Sequence, residues 1–320
     1  MLAWDLWTPV FDSDHGGIFL PCPRGASMPP EGEGVEHESG QRREKISCRG
    51  GLQLRSWPLS MQDSGEQDQN SSSPSSVPER VLVVGASSGI GASLVRQLAQ
   101  EGCQVAALAR REDRLAELAE GAPPGSVHVY PHDVMDAGDV PALLERIVKD
   151  LGGLDTLCYV AGVMPMVGPQ EYDHDQDRTM VRVNLLGGMA WCAEVARLFL
   201  SERRGTIVGV SSVAGERGRR MNPAYHASKA GFTTYLESLR NRLEGHGVRV
   251  VTILPGMVST DMTAGIDKLV WPITPEQAAK TMISTWRGSF WSTRYMPLRW
   301  CLVMRVIREI PSRIFRHLNI

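Results

Sequence analysis

The sequence predicts an α/β protein built on one doubly wound parallel sheet flanked by helices. Three observations carry that expectation. Short apolar, β-branched runs alternate with segments of helical periodicity, the pattern of right-handed βαβ units. The first run, Arg80 to Val84, passes directly into a glycine-rich turn, Gly85-Ala86-Ser87-Ser88-Gly89-Ile90-Gly91, and then into a helical pattern. The glycine-bearing and polar ends of the later strands would all fall at one edge of such a sheet, where ligands of these folds bind.

Composition narrows the function classes. Of 320 residues, 42% are hydrophobic and 22% charged, and the net charge is −2. That balance gives no support for nucleic-acid binding through bulk charge. The six cysteines are scattered and form no CxxC or Cys/His cluster, so we expect small core residues in a reducing compartment, no disulfide framework and no metal site. No basic segment precedes an apolar one at the start, which speaks against a secretory signal. The expected location is cytoplasmic, with membrane association depending on the C-terminal tail.

Residues 1–78 do not read as a fold. Gly, Pro, Ser, Glu and Gln dominate, and Asn70-Ser71-Ser72-Ser73-Pro74-Ser75-Ser76 cannot bury apolar surface. Either this is a disordered extension with a short docking segment near Trp4 and Trp7, or the natural start is Met61. We favour the second. Residues 79–297 form the expected catalytic domain.

Arg80 to Val84 has the composition of a buried parallel strand. The turn after it, between a strand and a helix, presents backbone N–H groups to a phosphate. Its spacing is GxxxGxG and not the GxGxxG of the usual dinucleotide fingerprint. We therefore place Gly85, Ser87, Ser88, Gly89, Ile90 and Gly91 at a dinucleotide. Gln104 to Ala109 is a second strand, followed by Arg110-Arg111. An acid at this strand's end would meet a ribose 2′-hydroxyl, whereas an arginine accommodates a 2′-phosphate. Arg110 thus favours NADP(H) over NAD(H). A helix over Asp113 to Glu120 follows.

Ser126 to Tyr130 is a third strand, and it leads to Asp133 and Val134. We place both at the cofactor, with Asp133 either bonding the adenine or capping the helix that ends near Lys149. Asp136 and Asp139 are better positioned for that cap. Leu154 to Val160 is a fourth strand, and it ends at Ala161-Gly162, where backbone can approach the cofactor. Asp175 to Leu200 reads as one long helix with Asn184 and then Gly187-Gly188 in its middle, a sacrifice of helix propensity. Close packing or a polar role would explain it. Gly205 to Val210 is a fifth strand ending in Ser211-Ser212. Asn222 to Leu243 is a helix that carries Tyr225 and Lys229 one turn apart on one face. The neighbouring ammonium should lower the phenol's pKa and fit Tyr225 for general acid/base work. Val248 to Leu254 is a sixth strand, ending in Pro255-Gly256-Met257-Val258-Ser259-Thr260.

The glycine turn, Asn184, Ser212, Tyr225 and Lys229, in this order, resemble the short-chain dehydrogenase/reductase family. Tyr225 follows Ser212 by 13 positions and Asn184 by 41, which is also similar to that family. The resemblance covers about residues 79–285. It implies a single Rossmann-type domain, a nicotinamide dinucleotide and carbonyl/alcohol interconversion on a small molecule. By the same resemblance Tyr225 transfers the substrate proton, and Lys229 holds the ribose hydroxyls and depresses the tyrosine pKa. Ser212 polarises the carbonyl, and Asn184 positions a water. Pro255, Gly256, Val258 and Thr260 hold the nicotinamide. Two alternatives stay open: an epimerase or dehydratase working through a transient ketone, and a dinucleotide sensor without turnover.

The chain departs from the family in two places. Tyr159-Val160-Ala161-Gly162 stands where Asn-Asn-Ala-Gly is usual, so we expect altered hydrogen bonding without lost activity. The last strand, Ser292 to Pro297, lacks the glycine-rich character of a tetramer-building strand, and the expected assembly is a homodimer. Thr260 to Thr274 should be the substrate lid. Its Met262, Ile266, Leu269, Val270 and Trp271 imply an apolar pocket. Thr274-Pro275 should open the next helix. The tail, residues 298–320, is basic and amphipathic and too short in uncharged runs to span a bilayer. It either lies on a membrane surface or packs on the domain or a partner subunit.

Overall fold

The structure, a computed structural model, describes residues 78–318 apart from 267 and 289, together with residues 10–11 and 18–19. The expectations for the rest of residues 1–77, including a start at Met61, lie outside the described residues. Val10–Phe11 pairs antiparallel with Ile18–Phe19, in a segment from which we expect no fold.

The domain is a seven-stranded, all-parallel sheet. Its strands are β1 (Arg80–Val84), β2 (Gln104–Ala109), β3 (Val127–Pro131), β4 (Thr156–Tyr159), β5 (Gly205–Val210), β6 (Val248–Pro255) and β7 (Thr293–Met296). The order across the sheet is β3-β2-β1-β4-β5-β6-β7. The chain therefore reverses direction across the sheet between β1 and β4, which opens a crevice at their carboxyl ends. Strand side chains alternate between faces. Leu82 and Val84 of β1 enter a core shared with Trp191, Phe199, Phe232 and Leu236. Val81 and Val83 enter a second core with Leu94, Leu98, Met282 and Trp286. Helices α1 (Gly89–Gln100), α2 (Glu112–Glu120) and α7 (Pro275–Gly288) contribute to the second core. Helices α3 (Val140–Leu151), α5 (Gly188–Glu202) and α6 (Pro223–Leu243) cover the first. Cys103, Cys158 and Cys192 are buried free thiols, as the scattered spacing suggests.

The long helix expected over Asp175 to Leu200 is not uniform. Helix α4 (His174–Val181) passes into a wide π-helical turn, Arg182–Gly187, before α5 begins. Tyr159 explains the break. Its ring is fully buried against Phe232, with centroids 5.6 Å apart. Its hydroxyl donates to the Val183 carbonyl at 2.6 Å, inside the wide turn. A Cβ on Gly187 would lie 2.8 Å from that hydroxyl, and one on Gly188 would lie 2.6 Å from Phe232. The two glycines are therefore there for close packing. By length and composition His174–Glu202 is the one helical run among the described residues apolar enough to cross a membrane. Its Trp191, Val195 and Phe199 are spent on the core.

Thr274 caps α7 reciprocally with Gln277: Thr274 Oγ1 accepts from Gln277 N at 3.2 Å, and Gln277 Oε1 accepts from Thr274 N at 3.0 Å. The tail forms α8 (Trp300–Glu309) and α9 (Ser312–Phe315). Trp300, Met304 and Ile307 pack on Val213 and Leu254. Burial of this kind stabilises by about 1.5–3 kcal/mol per side chain, so the inner face of the tail is committed to the domain. Arg217 adds bonds to the Arg308 and Ile310 carbonyls at 2.8 and 2.9 Å. Leu298, Leu302 and Val306 remain exposed.

Tyr159→Phe leaves the Val183 carbonyl buried without its donor. We expect a stability loss of about 1–3 kcal/mol in urea unfolding; an unchanged midpoint and slope would show that the hydroxyl contributes nothing.

Candidate active site

The carboxyl ends of β1, β2, β4, β5 and β6 surround one cavity of about 550 Å³. Its geometry begins with the glycine turn. Gly85 has φ +96°, and a Cβ there would lie 2.5 Å from the Ala161 nitrogen. Only glycine lets β1 and β4 end this close together. Gly91 packs on the Gly85 carbonyl, behind the cavity wall. Ser88 precedes α1 without a side-chain cap, and the first turn of α1 carries no acid. That leaves an uncompensated helix N-terminus facing the cavity, the environment that favours a phosphate.

Arg111 reaches back over this turn. It donates to Ser87 Oγ at 2.9 Å and to Ser88 Oγ at 2.8 Å. Arg110 lines the same end of the cavity, with Nη1 3.7 Å from Asp133 Oδ2. The sequence points to Arg110, whereas Arg111 makes the closer contacts with the glycine turn; the Arg-Arg pair was the signal. Asp133 uses one oxygen for a cap: its Oδ1 accepts from Met135 N at 3.0 Å and closes the turn after β3, while Oδ2 faces Arg110. Asp136 and Asp139, the expected caps, make no side-chain capping bond. Val134, Ala161 and Gly162 do line the cavity.

At the other end α6 delivers Tyr225 and Lys229. Lys229 is buried, and its ammonium donates to the Val210 carbonyl at 3.0 Å. Ser211 Oγ donates to the Lys229 carbonyl at 2.8 Å and accepts from Thr233 Oγ1 at 2.7 Å, tying α6 to the end of β5. His226 Nδ1 lies 2.6 Å from the Ala214 carbonyl and anchors the same helix to the turn after β5. Neither Ser211 nor His226 stands out in the sequence. Burial lowers the Lys229 pKa to about 8.

Tyr225 departs from expectation. Lys229 Nζ is 6.0 Å from its ring centroid, yet burial raises the phenol's pKa, and the hydrogen bond with Ser212 opposes that rise. Desolvation outweighs any help from the ammonium. Ser212 Oγ also accepts from Ala214 N at 3.1 Å, so its capping role and its contact with Tyr225 coexist.

Asn184 is fully buried. Its amide accepts from Val163 N at 2.8 Å and donates to Val163 O at 3.0 Å and Ser228 Oγ at 3.2 Å. Both amide hydrogens are taken, so the side chain offers a water no donor. Pro255, Gly256, Val258 and Thr260 line the cavity, with the Thr260 methyl against Gly89 of the glycine turn. Met262 and Ile266 of the expected lid line the cavity, whereas Trp271 meets Trp300 edge to face, with centroids 5.4 Å apart. Trp300 itself reaches the cavity, a tail contribution that its amphipathic pattern did not reveal.

Comparison with known proteins bears on the family and the fold. Residues 79–270 match the family described as short chain dehydrogenase. An uncharacterized oxidoreductase of Myxococcus xanthus is 40% identical over 186 residues, covering 57% of this chain and 73% of its own length. One from Staphylococcus epidermidis is 33% identical over 192 residues, covering 60% and 83%. In fold, the crystal structure of a short chain dehydrogenase from Burkholderia cenocepacia in complex with NADP superimposes with a TM-score of 0.66 at 22% identity, covering 76% of this chain and 98% of that one. On the match over most of the domain, with the glycine turn and the Ser212, Tyr225 and Lys229 constellation at one sheet edge, this chain belongs to the short-chain dehydrogenase family of oxidoreductases.

Proposed function

We propose that the protein is a carbonyl reductase that uses NADP(H) and acts on a substrate with an apolar body. The observation that carries this is that the Ser212 and Tyr225 hydroxyls line one cavity with buried Lys229 and an uncapped helix N-terminus at its far end. A dinucleotide fits that span: the glycine turn would take the pyrophosphate, Arg110 and Arg111 with Ser87 and Ser88 the 2′-phosphate, Lys229 the nicotinamide ribose, and the Pro255 to Thr260 segment the nicotinamide. When bound, the dinucleotide supplies the hydride. The chain supplies the rest. Ser212 donates a hydrogen bond to the carbonyl oxygen as charge develops there, and Tyr225 delivers its proton to that oxygen. The raised phenol pKa keeps the proton on Tyr225 at neutral pH, the form that reduction needs. Asn184 acts as a positioning residue, holding Val163 beside Tyr225.

Tyr225→Phe tests the proton donor. We expect kcat on a responsive ketone to fall by about 10²- to 10⁴-fold with NADPH affinity unchanged; full turnover in the variant would refute the mechanism. In the wild type, reduction should hold steady below about pH 8 and decline above it, as Lys229 loses the proton that its lowered pKa holds only up to about 8. A rate that climbs through that range contradicts the assignment.

Arg111→Ala tests the cofactor preference. Loss of a charge-assisted contact to a phosphate should weaken NADPH about 10- to 100-fold and leave NADH unaffected. Equal weakening of both cofactors removes the 2′-phosphate from this arginine.

The outer stripe of the tail, Leu298, Leu302 and Val306 with Arg299 and Arg305 beside it, is exposed. It would serve peripheral contact with an anionic membrane, while the inner face stays docked on the domain. A Leu302→Asp/Val306→Asp variant should then lose co-sedimentation with phosphatidylserine vesicles. Wild-type protein that stays in the supernatant overturns this part of the proposal. The assembly we expect is a homodimer, and sedimentation velocity returning a monomer or a tetramer counts against it.

A further inference from the structure

The segment between Ser212 and Tyr225 contains Arg217-Gly218-Arg219-Arg220. Arg217 and Arg220 bond carbonyls of the tail. Arg219 does not. It lines the cavity, and its Nε is buried without a hydrogen-bond partner among the described residues. Its nearest polar contact is soft: Nη2 lies 4.0 Å from the thioether of Met304. Asp261 also lines the cavity, but no ion pair joins it to Arg219 among the described residues. Arg294 Nε is likewise buried without a partner, but Arg294 does not line the cavity, and three other partly buried arginines of the domain are well supplied with oxygen. Arg80 pairs with Asp155, Arg287 with Glu79, and Arg240 bonds Val250 O, Thr252 Oγ1 and Ser292 O.

A second donor lies in the same wall. Trp300 lines the cavity and packs on Gly256, and its indole Nε1 is also buried without an acceptor. Trp300 and Met304 are one turn apart on α8, so the guanidinium that touches Met304 and the indole sit on the same patch. Arg219 is also close enough to His226, the neighbour of Tyr225, to act on its charge. Two donors without acceptors, one of them a full charge, are costly to bury unless a partner arrives. Around them the cavity is apolar and rich in methionine, with Met164, Met166, Met221, Met257 and Met262, a lining that adapts to flexible aliphatic groups.

We propose that the substrate carries an anionic oxygen group, a carboxylate or a phosphate ester, on its apolar body, and that Arg219, with the Trp300 indole beside it, receives that group. This deepens the reductase proposal: anchoring the anion at Arg219 would orient the carbonyl toward Ser212 and Tyr225 in the same cavity. Binding at Arg219 can nevertheless be read without any turnover.

The test is equilibrium binding to the full chain, with and without NADPH, of octanoate, octyl phosphate and methyl octanoate. Wild type should bind at least one of the two anions about 10- to 100-fold more tightly than the ester. Arg219→Met should bring the ratio to about one while ester binding is kept, and Arg219→Lys should retain part of the preference. The stronger of the two anions identifies the head group. Equal binding of all three ligands by wild type overturns the proposal, as does an Arg219→Met protein that weakens anion and ester alike. Because no rate is measured, an inactive Tyr225 mechanism would leave this result standing, and a missing anion preference would leave the reductase assignment untouched.

Discussion

The site is built around one buried ammonium. Lys229 is enclosed between β5 and the cavity with a backbone carbonyl as its acceptor and, among the described residues, no carboxylate paired with it. Burying such a charge is unfavourable, and the lowered pKa records the cost. The surrounding structure must hold the lysine there. Ser211 pins its carbonyl, Thr233 pins Ser211, and His226 fixes the preceding turn of α6 to Ala214. The same contacts set the rotation of α6, and so decide where Tyr225, one turn earlier, presents its hydroxyl. Tyr225 and the Lys229 ammonium are placed by one set of bonds to the end of β5.

A second set works from the other side. Asn184 grips Val163 through both ends of its amide and reaches Ser228 on α6. It can do so because the wide turn at Arg182–Gly187 breaks the helix there. Tyr159 fills the space beneath that turn and takes the Val183 carbonyl. A side chain that looks like a loss against the usual asparagine is therefore tied to two glycines and a helix defect one element away. The tyrosine ties the end of β4 to the wide turn through the Val183 carbonyl.

This shows what could be read from residues alone. The strands, the glycine turn and the Tyr225/Lys229 face rest on periodicity and local chemistry, and each lies where the sequence places it, with ends shifted by a residue or two. Contacts that join distant segments were not legible. Nothing local distinguishes Arg111 from Arg110, because the choice depends on which side chain folds back over Ser87 and Ser88. Asp133 closes the turn after β3, and Asp136 and Asp139 make no side-chain cap, because that turn closes earlier than the helical pattern suggests. The sign of the Tyr225 shift was missed for a related reason. Spacing fixes the distance to an ammonium, but the degree of burial is set by Met180 and Val167, which pack on Tyr225 from elsewhere in the chain.

The tail shows the same dependence most fully. As a sequence it is an amphipathic segment with two equally good destinations. In the fold, β7 is the edge strand beside β6, and the chain turns at Pro297 to lay α8 against the loop after β6. A Cβ at Gly256 would lie 2.0 Å from the Trp300 nitrogen, so that glycine is required by the tail as much as by any cofactor. Trp300 then carries the tail into the cavity wall, beside Trp271 of the lid segment and, one turn on, against Arg219 through Met304. The residues that would choose a substrate are thus drawn from three segments that are unremarkable in sequence and meet only because α8 docks. A change in the tail's inner face should alter which molecule is bound before it alters the placement of the Ser212 and Tyr225 hydroxyls, since Ser212 and Lys229 are held by bonds in which α8 takes no part.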